Sequence, residues 1–142
     1  EFRRVLFRSE FSFIGQLFEN IYIRGGYGYT DAKIKKDKIE TELEGNYLRG
    51  VSKHTGNVFI RYLPTEKWYG ELGATYMGSY FTSDENTTKM PDWTRVDAAI
   101  GYKDTKWGAT VAVNNLTDKE YWRSSSMPGT PRNYLLKLNY FF

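Results

Sequence analysis

The sequence predicts an all-β protein. It reads as an antiparallel, up-and-down transmembrane β-barrel fragment, with about seven strands forming an open curved sheet. Three observations predict it. Apolar and aromatic residues alternate with polar ones over segment after segment, the period of a strand with unlike faces. Connections between the segments alternate short and long, as when tight turns lie on one side of a membrane and long loops on the other. Aromatic residues gather near segment ends on the apolar parity, where rings with polar tips favour a membrane–water interface.

The opening nonapeptide E-F-R-R-V-L-F-R-S, Glu1–Ser9, stands apart. It lacks an initiator Met, and no apolar core of signal-peptide length follows. It looks like the translation of a common sequencing adapter read in frame, so residues 1–9 are set aside as a non-native segment. Residues 10–142 are taken as the barrel part, with the chain expected to begin mid-protein. The first strand is then Phe11–Leu17, followed by a short turn at Phe18–Asn20. Ile21–Ala32 carries Ile21, Ile23, Gly25, Tyr27 and Tyr29 on one parity, against Arg24, Gly26, Gly28 and Thr30. Lys33–His54 is charged and Gly-punctuated and reads mainly as a loop, with room for a short helix. Its Glu40, Glu42 and Glu44 lie beside a lysine-rich run, as in a solvated loop.

Thr55–Leu63 resumes the alternation, Pro64–Lys67 turns, and Trp68–Phe81 reads as one long strand. Thr82–Trp93 is a polar loop. Thr94–Lys103 and Trp107–Asn115 are strands joined by the turn Asp104–Lys106. Leu116–Pro131 is a long loop, and Arg132–Phe142 closes the sequence. In that last strand Tyr134, Leu136, Leu138, Tyr140 and Phe142 share one parity, a face expected to touch lipid. Tyr62, Trp68, Tyr102, Trp107 and Tyr140 fall near the short-turn ends. Tyr80, Trp93 and Tyr134 are expected near the opposite rim. A strand of about 11 residues at ~3.3 Å per residue, tilted ~40°, rises about 28 Å, which matches an apolar band.

Composition removes several classes of function. There is no Cys, so disulfides, thiolate metal sites and Cys nucleophiles are excluded. A single His leaves little for a metal site or a relay, and His54 reads as a polar residue at a strand start. The net charge of +3 comes from 20 basic and 17 acidic residues, too near balance to argue for nucleic acid. Mean hydropathy is −0.62, and no apolar run approaches the ~18 residues of a spanning helix. Spanning strands need no such run. No nucleophile–base pair, phosphate loop or metal cage stands out, so no enzyme, no cofactor and no resident metal are expected. Two rival readings of the alternation remain: a passive porin-type barrel, and a soluble β-sandwich for binding or adhesion.

The motifs narrow the choice. V-N-N-L-T-D-K-E-Y-W (Val113–Trp122), then P-G-T-P-R-N-Y (Pro128–Tyr134), then a strand ending in Phe, resembles the C-terminal signature of TonB-dependent outer-membrane receptors. G-Y-G-Y-T-D-A (Gly26–Ala32), L-R-G-V-S-K-H-T (Leu48–Thr55) and the stretch Tyr76–Ala99 resemble the ferric-siderophore branch. Thr117 departs from the usual apolar or aromatic residue. The resemblance implies a barrel of roughly 22 strands with an N-terminal plug in its lumen, of which this chain supplies the last strands. It further implies a Gram-negative outer membrane, outer-membrane lipid, a ferric siderophore or similar chelate as ligand, and TonB engaged through a region outside this chain. A terminal Phe with apolar alternate residues matches what the barrel-assembly machinery reads in that family.

Two groups of side chains follow as candidates. Tyr121, Trp122 and Arg123, in an outer loop, combine aromatic rings with a cation, which suits an aromatic anionic chelate. Asn57, Arg61, Glu71, Arg95, Asp97, Lys137 and Asn139 fall on the inward parity. They are expected to face the lumen and to pair with one another or with the plug, since confined unpaired charge is costly.

Overall fold

The computed structural model describes residues 2–37, 45–47, 49–83, 85–123 and 127–141, with backbone alone at 2–5 and 35–37. Seven strands form one antiparallel sheet. They are β1 (Phe2–Phe18), β2 (Ile21–Asp37), β3 (His54–Tyr62), β4 (Trp68–Met77), β7 (Trp93–Lys103), β8 (Trp107–Asn114) and β9 (Asn133–Tyr140). Two short strands, β5 (Tyr80–Phe81) and β6 (Lys89–Met90), pair as a hairpin inside one connection. Every strand of the main sheet pairs with its neighbour in sequence, so the sheet is up-and-down and open, with β1 and β9 at its edges.

Short connections lie at one end. Leu63 N–H donates to Asn20 C=O (2.9 Å), which ties the first two short turns together. Thr65 Oγ1 accepts from the backbone N–H of Lys67 (3.2 Å) and Trp68 (3.3 Å), as hydroxyls do in tight turns. The long connections β2–β3, β4–β7 and β8–β9 all emerge at the other end.

Three boundaries differ from the sequence reading. β1 begins at Phe2, so residues 2–9 continue the ladder against β2, from Phe2↔Asp37 to Ser9↔Tyr29; backbone pairing runs on wherever two extended chains lie side by side. β2 reaches Asp37, well beyond Ala32. Trp68–Phe81 is not one strand. It breaks at Gly78, whose N–H donates to His54 C=O (2.7 Å) and whose C=O accepts from Ser52 Oγ (2.7 Å). A Cβ at Gly78 would lie 2.8 Å from His54 O, so only glycine allows this approach. The chain turns there into β5, and the expected loop Thr82–Trp93 contains β6. The helix allowed in Lys33–His54 and the residues Glu40, Glu42 and Glu44 fall largely or wholly outside the described residues.

Directly paired residues share a face of the sheet, so the register assigns every face. One row runs Phe18, Ile21, Tyr62, Gly70, Ile100, Val111, Leu136. The next runs Gly15, Ile23, Ile60, Leu72, Ala98, Val113, Tyr134. Lower down, the Trp68 and Trp107 rings lie tilted against Tyr102 from either side, with centroids 4.8 Å apart in each pair. This face is apolar from edge to edge, yet nothing covers it: Leu136 is 63 %, Leu138 69 % and Val111 49 % exposed. A soluble sandwich would bury these side chains in a closed core, and the described residues form none over this face. The buried apolar side chains among the described residues, Ala32, Ile34, Tyr80 and Tyr121, all sit at the long-loop end. The packing core thus lies under the loops, while the wall keeps an apolar face outward as a lipid-facing sheet does.

Candidate functional site

The opposite face carries the charges. The register brings Asn57, Thr75 and Arg95 into one row, Arg24, Phe59, Gly73 and Asp97 into a second, and Tyr22, Arg61, Glu71 and Ala99 into a third. Lys137 opposes Thr110 and Asn139 opposes Gly108 on the same face. All seven residues read as inward from the sequence therefore share one face. Glu71 is its centre: Oε1 accepts from Arg24 (3.1 Å) and Oε2 from Arg61 (3.3 Å). The Arg24 guanidinium also lies 4.5 Å over the Phe59 ring and that of Arg61 4.3 Å over Tyr69. Two cations on one carboxylate leave this patch net positive.

Aromatic rings on this face are seated over glycines. A Cβ at Gly73 would fall 2.3 Å from the Phe59 ring, and one at Gly101 would fall 1.9 Å from the Tyr69 ring. Phe59 and Gly73 are direct cross-strand partners. The missing side chain lets the ring lie flat on the neighbouring strand, which holds the arginines above it.

At the loop end the N-N-L-T-D-K-E-Y motif builds a closed turn. Asn115, buried and at φ 56°, is its pivot. Its Nδ2 donates to Lys119 C=O (2.9 Å) and Thr130 C=O (3.0 Å), and its Oδ1 accepts from Lys119 N–H (2.9 Å). Its own N–H donates to Asp97 Oδ1 (2.7 Å). Asp118, also at positive φ, accepts at Oδ1 from Arg132 N–H (3.0 Å). One asparagine thus joins β7, β8 and both ends of the last loop.

That turn decides where Tyr121, Trp122 and Arg123 point. Tyr121 is buried, with its ring 4.4 Å from Trp93 and packed on Gly129, where a Cβ would meet it at 2.2 Å. Its hydroxyl accepts from Arg95 Nη1 (3.3 Å), while Arg95 Nη2 pairs with Asp97 (3.1 Å). Trp122 and Arg123 are exposed beside it, with Trp122 bridged to Pro128. Tyr121 therefore holds the loop, and Trp122 and Arg123 face solvent. Trp93, read from the sequence as a rim aromatic, lies instead on the charged face beside Arg95. Tyr80, read the same way, is buried under the loops. Tyr134, Leu136, Leu138 and Tyr140 are exposed on the apolar face, and Phe142 lies outside the described residues.

The sequence reading passed over two features. Asn86, at φ 59°, clamps Tyr47: its Oδ1 accepts from Tyr47 N–H (2.7 Å) and its Nδ2 donates to Tyr47 C=O (2.8 Å). This imitates a strand neighbour and locks the β2–β3 and β4–β7 connections into one unit. Tyr47 in turn gathers Lys33, Lys53 and Phe81 around its ring. Only an asparagine in a polar run signalled the clamp in advance. Among the described residues no group of three acidic or imidazole side chains is placed to hold a metal ion.

An uncovered apolar outer face, a charged inner face, tight turns below and interlocked loops above define the wall of an outer-membrane barrel. Residues 9–116 match the family described as TonB dependent receptor-like, beta-barrel, and the chain belongs to that family, whose members sit in the Gram-negative outer membrane. Among curated relatives, the metal-pseudopaline receptor CntO of Pseudomonas aeruginosa is 35 % identical over 141 residues, covering 91 % of this chain and 20 % of that protein. The ferrichrome outer membrane transporter/phage receptor of Escherichia coli K12 is 31 % identical over 114 residues, covering 74 % of this chain and 15 % of that one. Among solved structures, the siderophore receptor PiuA of Acinetobacter baumannii superimposes with a TM-score of 0.87 at 21 % identity, over 98 % of this chain and 22 % of its own. The chain spans about a fifth of the length of CntO.

Proposed function

We propose that this chain forms wall and outer loops of a receptor that takes up a ferric siderophore or a similar metal chelate across the outer membrane, driven through TonB. The observation that carries this is the kinship with CntO over 91 % of the chain, a protein named as a metal-pseudopaline receptor. The part that engages TonB would lie outside these residues. Within them, Trp122 and Arg123 would meet an anionic, ring-bearing chelate, with Tyr121 fixing the loop behind them. The charged face, with Arg61 and Glu71 paired and Lys137 and Asn139 nearer the edge, would line the path and contact a plug. The apolar final strand, ending at Phe142, would be read by the barrel-assembly machinery. We also infer that residues 1–9 are adapter-derived. The family match covers residues 9–116 and leaves residues 1–8 outside it; resequencing the upstream reading frame tests the inference.

Uptake of radiolabelled ferric chelates by iron-starved cells carrying the receptor tests the main reading. Accumulation is expected to need TonB and an energised inner membrane, whereas uptake that persists without them would make the barrel a passive pore. Trp122→Ala with Arg123→Gln is expected to weaken chelate binding by about tenfold, from the loss of one cation and one ring. Unchanged affinity would remove these two residues from the ligand site.

A further inference from the structure

The charged face holds a second group of side chains, near the short turns and far from Trp122 and Arg123. Arg61 is the last residue but one of β3, next to Tyr62 at the turn. His54, at the other end of that strand, stands about 18 Å above it at ~3.3 Å per residue and ~40° tilt. The register puts Ile14, Arg24 and Phe59 in one row of this face, and Gln16, Tyr22, Arg61 and Glu71 in the next.

The two arginines are held in place before anything binds. One carboxylate, Glu71, sits between them, with Arg24 Nη2 3.1 Å from Oε1 and Arg61 Nη1 3.3 Å from Oε2. Each guanidinium also lies over a ring, Phe59 for Arg24 and Tyr69 for Arg61. Those rings occupy the space that a Cβ on Gly73 or Gly101 would take. A guanidinium stacked on a ring keeps its N–H groups, which lie in its own plane, directed sideways. Beyond Glu71, neither arginine has a further hydrogen-bond partner among the described residues. Their side chains are 58 % and 47 % exposed, and two cations on one carboxylate leave a positive charge over. Glu71 itself shows what the pair accepts: a planar carboxylate, one oxygen to each guanidinium.

Beside the arginines is a pocket of about 400 Å³. Its residues on the charged face are Ile14, Gln16, Tyr22, Arg24, Phe59 and Arg61; Gly15 and Ile23, of the other parity, complete its lining. Ile14 is 85 % exposed, and Tyr22 is exposed beside it. Ile14, Tyr22 and Phe59 make one side of the pocket apolar, and that area gains when it is covered. The pocket therefore fits a ligand of two parts: a carboxylate for the guanidinium edges and an apolar or ring-bearing body for the side next to them. Because Glu71 already matches one cation, the site stays partnered while empty, and an arriving carboxylate exchanges with Glu71 instead of filling a void. Such a site holds an anion weakly and releases it, which suits a solute in passage.

We propose that Arg24 and Arg61, with Ile14, Tyr22 and Phe59 beside them, form a carboxylate-binding site on the charged face near the short turns, and that the solute is a chelate carrying a free carboxylate. This rests on the uptake reading and adds to it a solute class and a second stop on the path. Glu71 sets the strength of the site, since it competes for the same two guanidiniums.

The test uses the full-length receptor containing this chain, in detergent micelles. The probe is 4-fluorobenzoate, with 4-fluorobenzamide as its neutral counterpart, both followed by fluorine NMR line broadening; heat-modifiable migration on gels verifies folding. Wild type is expected to bind the benzoate and not the benzamide, and acetate, which lacks the ring, to compete poorly. Arg24→Gln/Arg61→Gln should weaken benzoate binding about tenfold through the loss of two charged donors. Glu71→Gln removes the competing carboxylate and should strengthen it about fivefold, a gain that a merely structural role would not give. Arg61→Lys keeps the charge but loses the planar fork and should weaken binding about threefold, which decides the matter if the double variant misfolds. Lys106→Gln, in the turn between β7 and β8, should leave binding unchanged. No broadening in wild type or in Glu71→Gln would overturn the proposal, as would binding indifferent to both arginines.

In cells, the double arginine variant should take up iron-55 citrate, a carboxylate chelate, more slowly than wild type, with uptake of a neutral trihydroxamate chelate unchanged. Equal slowing of both would give the arginines to a contact with the rest of the receptor and overturn the proposal. So would uptake of the neutral chelate alone by wild type. No uptake of any chelate, with benzoate binding intact, would count against the uptake reading and leave the carboxylate site standing.

Discussion

Asn115 shows how much one side chain organises at the rim. It makes two donations and accepts one bond, all from backbone of the last loop, and it sits in the left-handed region that asparagine tolerates better than most residues. Asn115→Ala removes three bonds worth about 1 kcal/mol each and adds about 1 kcal/mol of backbone cost. The loop 116–131 should loosen, and cells carrying the variant receptor should show faster protease cleavage there. Asn115→Gly keeps the backbone and loses only the bonds, so it should fall between. Equal cleavage in all three would mean the loop is held by the Tyr121–Trp93–Gly129 packing instead. The sequence made this turn visible as a motif, since Asn, Asp and Gly end strands and shape loops. It left the fate of Tyr121 hidden. Whether an aromatic in a loop faces solvent or packs on a glycine depends on Gly129 and Trp93, both distant in sequence.

Strands were the legible elements. Alternation marked all seven strands of the wall, because a side chain on a two-faced wall must suit one medium or the other. Their ends were less legible where tertiary contacts set them. Gly78 reads as one more alternating residue, and only the approach of His54 C=O makes it a break. The hairpin of β5 and β6 and the Asn86 clamp depend likewise on partners in another connection. Turns are more self-contained, and the one between β7 and β8 titrates. Asp104 accepts from Thr105 N–H (2.7 Å) and from the Tyr102 hydroxyl (3.0 Å), with Lys67 Nζ at 3.7 Å. The Thr105 bond first, then the Tyr102 bond, holds its carboxyl below the ordinary value of 3.8. A carboxylate with a lowered native pKa stabilises the fold in full above the unfolded value. It loses that contribution as pH falls below 3.8 and through the native value. Carbon-detected NMR titration of Asp104 in the micelle-bound receptor should give a midpoint under 3.8. A midpoint at or above it would mean the turn opens in solution.

The whole molecule is a wall with two unlike sides and two edges. Each of β1 and β9 has one neighbour in the sheet, so each presents a row of backbone groups toward further strands. In water such a sheet would bring both edges and an uncovered apolar face into contact with other copies. In a membrane the same face is solvated by lipid and the edges are closed by the rest of a barrel. Sidedness is what parity alone predicted, and it is open to a sharp test in adjacent residues of β9. Leu136 lies in the row with Ile100 and Val111 on the apolar side, near mid-height of the wall. Lys137, the next residue, opposes Thr110 on the charged side. Leu136→Lys in the receptor places an ammonium near the bilayer midplane, which costs about 2–4 kcal/mol on barrel walls. Lys137→Leu removes an exposed charge from the charged side and should change stability by no more than about 0.5 kcal/mol. Reversible urea unfolding in phospholipid vesicles, followed by tryptophan fluorescence, measures both. A reversed order, with Lys137→Leu the costlier change, would mean that the faces are assigned backwards. The placement of every lumenal and lipid-facing residue would then invert with them.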